Sequence, residues 1–146
     1  MSRTRIVEEE GVEMDFLVKM YGMRKPFPGE LNFFKERPEV AGMATEDDKI
    51  ILNPYSELTP AEKDAVARNE ALRIYMKQNN ISPEFDLTKS QEKMFTGTEY
   101  EKDPVAAKQS ILARILSGDP SAKDATLDQT LEAQKIQEQI MKMMKK

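Results

Sequence analysis

Thr59-Pro60-Ala61-Glu62 marks a helix start more firmly than any other four residues of the chain. A threonine hydroxyl caps an orphan amide of the first turn, and proline at the first helical position needs no amide partner. Glutamate three residues past the cap reaches back to the cap's own amide, completing a capping box. The helix so opened carries Ala61, Ala65, Leu72 and Met76 on one face, widened by Val66 and Ile74, until Asn79-Asn80 ends it. Just before it, Val40 to Ala44 and Lys49 to Asn53 read as strands joined by the acidic, turn-prone Thr45-Glu46-Asp47-Asp48. A lone hairpin is marginal in water, so hairpin and helix must pack together.

Other segments attach to this body. Residues 1–11 read as a polar arm, with Ile6-Val7 as a short contact. Val12, Phe16, Met20 and Met23 then fall at helical spacing, with Leu17 and Tyr21 beside them, giving a short helix that ends near Gly22. Lys25-Pro26-Phe27-Pro28-Gly29 reads as a chain break, and Leu31, Phe33 and Phe34 as core plugs on a helical turn before Pro38. Further on, Asp86 to Phe95 holds a short helix capped by Thr88, and Asp103 caps Pro104 to Leu116. The apolar set of the latter is Val105, Ile111, Leu112, Ile115 and Leu116, and Gly118-Asp119-Pro120 stops it. Thr126-Leu127-Asp128-Gln129 repeats the capping-box pattern and opens a last helix. Its expected stripe is Leu127, Leu131, Ile136, Ile140 and Met143-Met144, and its closing lysines suit the negative helix end. The last two helices either fold back as a hairpin or splay toward a neighbour. The expected fold class is mainly α with a small β-hairpin, one domain overall in three segments: an arm and short helix over 1–38, a hairpin-plus-helix core over 39–80, and a helical region over 81–146.

Composition narrows the chemistry. The 146 residues contain no cysteine and no histidine. Disulfides, thiolate catalysis, the commonest zinc ligands and the commonest general base are all absent. A net charge of -4 and a pI near 5.1 argue against nucleic-acid binding driven by overall charge. No apolar run approaches the roughly 20 residues of a membrane span, and Glu8-Glu9-Glu10 stands where a signal peptide needs apolar residues. The ten methionines favour adaptable contact surfaces. No cofactor and no membrane partner are expected.

Asn69-Glu70-Ala71-Leu72-Arg73 occupies the place on the central helix where a zinc peptidase carries His-Glu-x-x-His. Two histidines four apart share one helix face and one metal, and the glutamate between them polarises the bound water. With a strand just before the helix, the segment resembles a degenerate zincin core. Asn69 and Arg73 replace both ligands, and a permanent cation at Arg73 repels a metal. The plainer reading is an i,i+3 ion pair between Glu70 and Arg73.

Weaker constellations have plain readings as well. Glu46, Asp47 and Asp48 offer oxygens to a hard cation but lack the EF-hand spacing, so a solvated hairpin tip is expected. Asn53-Pro54-Tyr55-Ser56 reads as a rigid turn whose tyrosine packs beside the helix or serves recognition. Lys19, Arg24 and Lys25 form a small basic cluster near Tyr21 and Phe27, unrepeated elsewhere. Walker, dinucleotide-binding and nucleophile-elbow motifs are absent.

The segment FKERPEVAGMATEDDKIILNPYSELTPAEKDAVARNEALRIYM resembles small proteins of tailed bacteriophages in which VAGMA-type, NPYS-type and NEAxR-type elements recur together. The resemblance covers roughly residues 34–76 and implies a phage setting without defining an activity. The expected function is a non-enzymatic virion structural or accessory protein that contacts other virion proteins, copies of itself included. Its expected locations are the virion and, before assembly, the host cytoplasm. Phe16, Phe27, Phe33, Phe34 and Tyr55 are the expected anchors, since buried aromatics dominate interface energetics. Ile136, Ile140 and Met144 form the expected helix-docking stripe. The alternatives are a soluble modulator of a host protein, absent from particles, and a carboxylate- or metal-dependent hydrolase using Glu70. The hydrolase predicts bound metal and activity lost on Glu70→Gln.

Overall fold

A computed structural model describes residues 13–145, so the expected arm over residues 1–11 lies outside the described residues. The fold is mainly helical with one small antiparallel hairpin, as the sequence pattern requires. The elements run α1 (13–21), α2 (Pro28–Glu36), β1 (Gly42–Ala44), β2 (Ile50–Leu52), α3 (Pro60–Gln78), α4 (Lys89–Phe95), α5 (Pro104–Ser117) and α6 (Leu127–Met144). Short 3-10 turns at Glu99–Lys102 and Pro120–Asp124 precede α5 and α6. Among the described residues, no helix is long and apolar enough to cross a membrane. The chain divides into two compact units, Met1–Tyr75 and Met76–Lys146, with the boundary inside α3. The first unit holds α1, α2 and the hairpin, and α3 runs across the boundary.

In the first unit, α1 buries Met14, Leu17 and Tyr21 and leaves Met20 and Met23 exposed. The sequence pattern expected the neighbouring stripe of Phe16, Met20 and Met23. Both stripes have helical spacing, and Gly22 decides the outcome. At φ 86 it turns the chain so that Met23 forms a parallel bridge with Ile50. Arg24 N donates to Ile50 O at 3.0 Å, and Ile50 N donates to Gly22 O at 3.0 Å.

The expected break holds over residues 25–27, but Pro28 and Gly29 open a nine-residue helix. Pro28 takes the first helical position of α2, where its missing N–H costs nothing. Glu30 Oε1 reaches back to accept from Phe27 N at 2.7 Å. From α2 only Phe34 enters the core, while Phe33 stays on the surface.

The hairpin pairs Gly42 with Leu52, Met43 with Ile51 and Ala44 with Ile50. It is shorter than expected at its open end, where Val40 O and Asn53 take part in a side-chain clamp, and β2 starts one residue later, at Ile50. A Cβ at Gly42 would lie 2.7 Å from Val66 Cγ1 and 2.9 Å from Ile51 O, so only glycine lets β1 approach α3 this closely. The capping box of α3 forms as expected, with Glu62 N donating to Thr59 Oγ1 at 3.2 Å and Thr59 N to Glu62 Oε1 at 3.0 Å. Ala67, Ala71, Leu72, Ile74, Tyr75 and Met76 are buried. Ala61, expected on that face, is exposed, because it lies in the first turn ahead of the buried stretch.

The second unit packs α5 on α6. Asp103 caps α5 through Ala106 N, and Gly118 at φ 74 ends it. Ile111, Leu112 and Ala113 are buried, whereas Val105 is exposed. Two capping boxes, Thr88 with Gln91 and Thr126 with Gln129, open α4 and α6. Their glutamines meet in the interior as a reciprocal amide pair. Gln91 Nε2 donates to Gln129 Oε1 at 2.8 Å, and Gln129 Nε2 to Gln91 Oε1 at 2.8 Å. Each carbonyl oxygen also accepts its own cap amide, from Thr88 N at 2.9 Å and Thr126 N at 3.1 Å. Gln129 Nε2 donates besides to Asp86 O at 3.1 Å. The pair closes two helix starts at once, and both donors and the carbonyl of the Gln129 amide are satisfied.

Candidate interaction surface

The first unit presents exposed aromatic side chains on a rigid frame, built from two polar hubs. The first hub is Asn53, buried just past β2. Its Nδ2 donates to Val40 O at 2.7 Å, Arg37 O at 3.1 Å and Phe34 O at 3.3 Å. Its Oδ1 accepts from Tyr55 N at 2.8 Å, the two-residue-on contact of an Asx turn. Ser56 Oγ donates to Pro38 O, adding a second tie. One side chain thus adds a donor to three carbonyls at the end of α2 and in the turn behind it, which also accept from Arg37 N, Val40 N and Ser56 Oγ. Tyr55 is held at the apex of this turn and is 46% exposed.

The second hub is Arg24. Its guanidinium donates to both Glu30 carboxylate oxygens, at 2.8 and 2.9 Å, and to both Asp47 oxygens, at 3.3 and 3.2 Å. It also lies 3.8 Å from the centre of the Phe27 ring, which is 58% exposed. Arg24 therefore joins α2 and the hairpin tip while stacking on an aromatic. Of the expected basic cluster, Arg24 is committed to carboxylates and is not offered to phosphate. Lys49 Nζ donates to Tyr21 O at 2.7 Å and closes the tip from the other side.

These contacts set the electrostatics. Hydrogen bonds from Arg24 and Thr45 hold the Asp47 carboxyl down at about 2. The Arg24 contact also holds Glu30 below the usual carboxylate range. Burial, with Tyr75 and Asp48 nearby, pushes the Tyr21 phenol up to about 12. A depressed carboxylate stabilises the fold above its unfolded value, and that contribution is lost as pH falls through the folded value. The Asp47–Arg24 tie is thus fully present above about pH 4 and disappears near pH 2. A side-chain carboxyl NMR titration is expected to place the Asp47 midpoint near 2. A midpoint close to 4 would show that the tie does not form in solution.

The expected anchors separate into two groups. Phe27, Phe33 and Tyr55 face solvent, and Arg37 lies 5.6 Å from the Phe33 ring centre. Phe34, Ile136 and Ile140 are buried inside their own chain, while Phe16 and Met144 are half-buried. The expected docking stripe on α6 is corrected accordingly. Gln129, Ala133, Ile136 and Ile140 form its inner face, and Leu127 and Leu131 point outward. The sequence reading missed Asn53 as a clamp and the Gln91–Gln129 pair. The usable signals were a polar residue directly after a strand and glutamine, in place of glutamate, at both capping positions.

Glu70 is buried, with one carboxylate oxygen 3.5 Å from Arg73 Nη1. Among the described residues, no three carboxylates gather as a metal site, the acidic hairpin tip included. The second unit carries an open groove of about 490 Å³ beside Phe95 and Tyr100, whose rings meet edge-on at 5.3 Å. Glu92, Glu101 and Lys108 line it with mixed charge. Comparisons of the chain with protein-family models, curated proteins and solved structures return no match.

Proposed function

We propose that this chain is a non-enzymatic component of a tailed-bacteriophage particle, acting by protein–protein contact through Phe27, Phe33 and Tyr55. The observation that carries the reading is the rigid presentation of Tyr55. A buried four-point clamp fixes its backbone and leaves the ring in solvent. A turn fixed in this way loses little backbone freedom on binding, so only the rotation of the Tyr55 ring is left to be ordered. Arg24 prepares Phe27 in the same manner, by stacking while its charge is matched by Glu30 and Asp47. The phage setting rests on the VAGMA, NPYS and NEAxR elements, of which Gly42 and Asn53 have clear structural roles here.

The test is light scattering and co-sedimentation of the purified chain with particles of the phage that encodes it. The wild-type chain is expected to be captured by the particles. Tyr55→Ala is expected to weaken capture by about 2 kcal/mol, roughly 30-fold, with folding unchanged. A chain that ignores particles, or capture that Tyr55→Ala leaves untouched, overturns the reading.

A further inference from the structure

We propose that the outward face of α6 is a docking surface for a second copy of this chain, packed antiparallel. The inference deepens the functional reading by naming one partner, and it rests on that reading only for its biological setting.

Helical geometry supplies the first argument. The inner face of α6 is Gln129, Ala133, Ile136 and Ile140, spaced by four, three and four residues. On the opposite side, residues 127, 131, 134, 138, 141 and 145 follow the same heptad spacing. Leu127 is 72% exposed, Leu131 46% and Met141 42%, on a helix whose other face is already filled. Gln134, Glu138 and Lys145 complete that line and are exposed.

Charge selects the occupant. Asp128 and Glu132 lie near the start of α6, and Lys142 and Lys145 near its end. Asp128 and Lys142 lie on one flank of that line, and in a parallel second copy the matching flanks fall on opposite sides of the seam, so Asp128 never meets Lys142. An antiparallel copy sets Asp128 of each chain beside Lys142 of the other and opposes the two helix dipoles favourably. Heptad packing then fixes the register. Leu131 lies against Met141 of the second copy, Gln134 against Glu138, and the Lys145 stem covers Leu127. Lys135 lies nearest the two-fold axis, and its charge is met by Glu132 of its own helix at 3.3 Å. The face is self-complementary, as a two-fold contact between identical chains demands.

One helix per copy, about 27 Å long, makes a small contact, so association is sought at chain concentrations up to about 0.5 mM. Sedimentation velocity is expected to show the mass rising with concentration from 16.7 kDa toward twice that value. The L127E/L131E double variant is expected to stay monomeric. D128K is expected to weaken the dimer about threefold to tenfold, and D128K/K142D to restore it. Because the chain lacks cysteine, oxidising a mixture of L131C and M141C is expected to give a crosslinked pair, while either variant alone gives little. If the double glutamate variant fails to fold, the charge-swap and crosslinking arms still decide. A monomer at every concentration, a dimer indifferent to these changes, or efficient crosslinking of L131C to itself overturns the proposal. Particle capture by a monomeric chain would overturn this inference alone, and a dimer that ignores particles would overturn only the functional reading.

Discussion

Gln129→Glu is expected to destabilise the second unit by about 3–5 kcal/mol at pH 7, the cost of an unpaired buried charge. The side chain is fully buried. One oxygen of the new carboxylate would keep the place of Oε1, accepting from Thr126 N and Gln91 Nε2. The other would replace Nε2 and face Gln91 Oε1 and Asp86 O, two acceptors with no proton to share. Gln91 cannot escape by turning its amide over, because its oxygen accepts the Thr88 cap amide. The carboxyl pKa must therefore rise in the folded state, and the penalty must shrink as pH falls and the carboxyl takes up a proton. Gln129→Met, which removes the hydrogen bonds without adding charge, is expected to cost about 1–3 kcal/mol and to show no such pH dependence. Urea unfolding of the three proteins at pH 7 and pH 4.5 checks this. Equal losses at both pH values for Gln129→Glu would show that the amide pair does not form.

Asn53→Ala is expected to cost the first unit about 2 kcal/mol, because one substitution removes the partner of Tyr55 N and one of the two donors at each of three carbonyls. For a unit of this size, each kcal/mol lowers Tm by about 4–8 °C, so the effect is large in a thermal scan. Asn53→Asp should be worse, since it turns an oxygen toward Phe34 O, Arg37 O and Val40 O. Both variants should also weaken particle capture more than a matched core substitution of equal cost, because they release Tyr55. A loss below about 1 kcal/mol for Asn53→Ala would mean that water replaces the clamp at little expense.

What the sequence made legible was local. The caps at Thr59, Asp103 and Thr126 and the stop at Gly118 involve residues within a turn of one another, so each can be read without knowing the fold. The unreadable parts depend on distant partners. Pro28-Gly29 looks like a break until Glu30 closes the turn on Phe27 N and Arg24 anchors Glu30. On α6 two apolar stripes overlap, and the choice falls to the one containing a glutamine, because Gln91 waits for it. Hydrophobic spacing alone favours the leucines at 127 and 131, which the structure leaves outside. Asn53 was visible as a turn residue, but its acceptors lie 13 to 19 residues upstream. The solvent-facing aromatics were visible as residue types, though not which of Phe33 and Phe34 would be exposed.

The bridge between Met23 and Ile50 has a consequence for how this molecule meets others. It occupies the second side of β2 at Ile50, so β2 is not a free sheet margin there. β1 is the other margin, three residues long, with a glycine at one end pressed toward α3. A margin so short is a poor template for an added strand, the usual route to runaway β-association. Strand addition is thereby disfavoured both as a mode of partner recognition and as a route to aggregation. A neighbour of the proposed kind would have to bind by side-chain shape and charge, a mode of contact that stops when its complementary faces are filled.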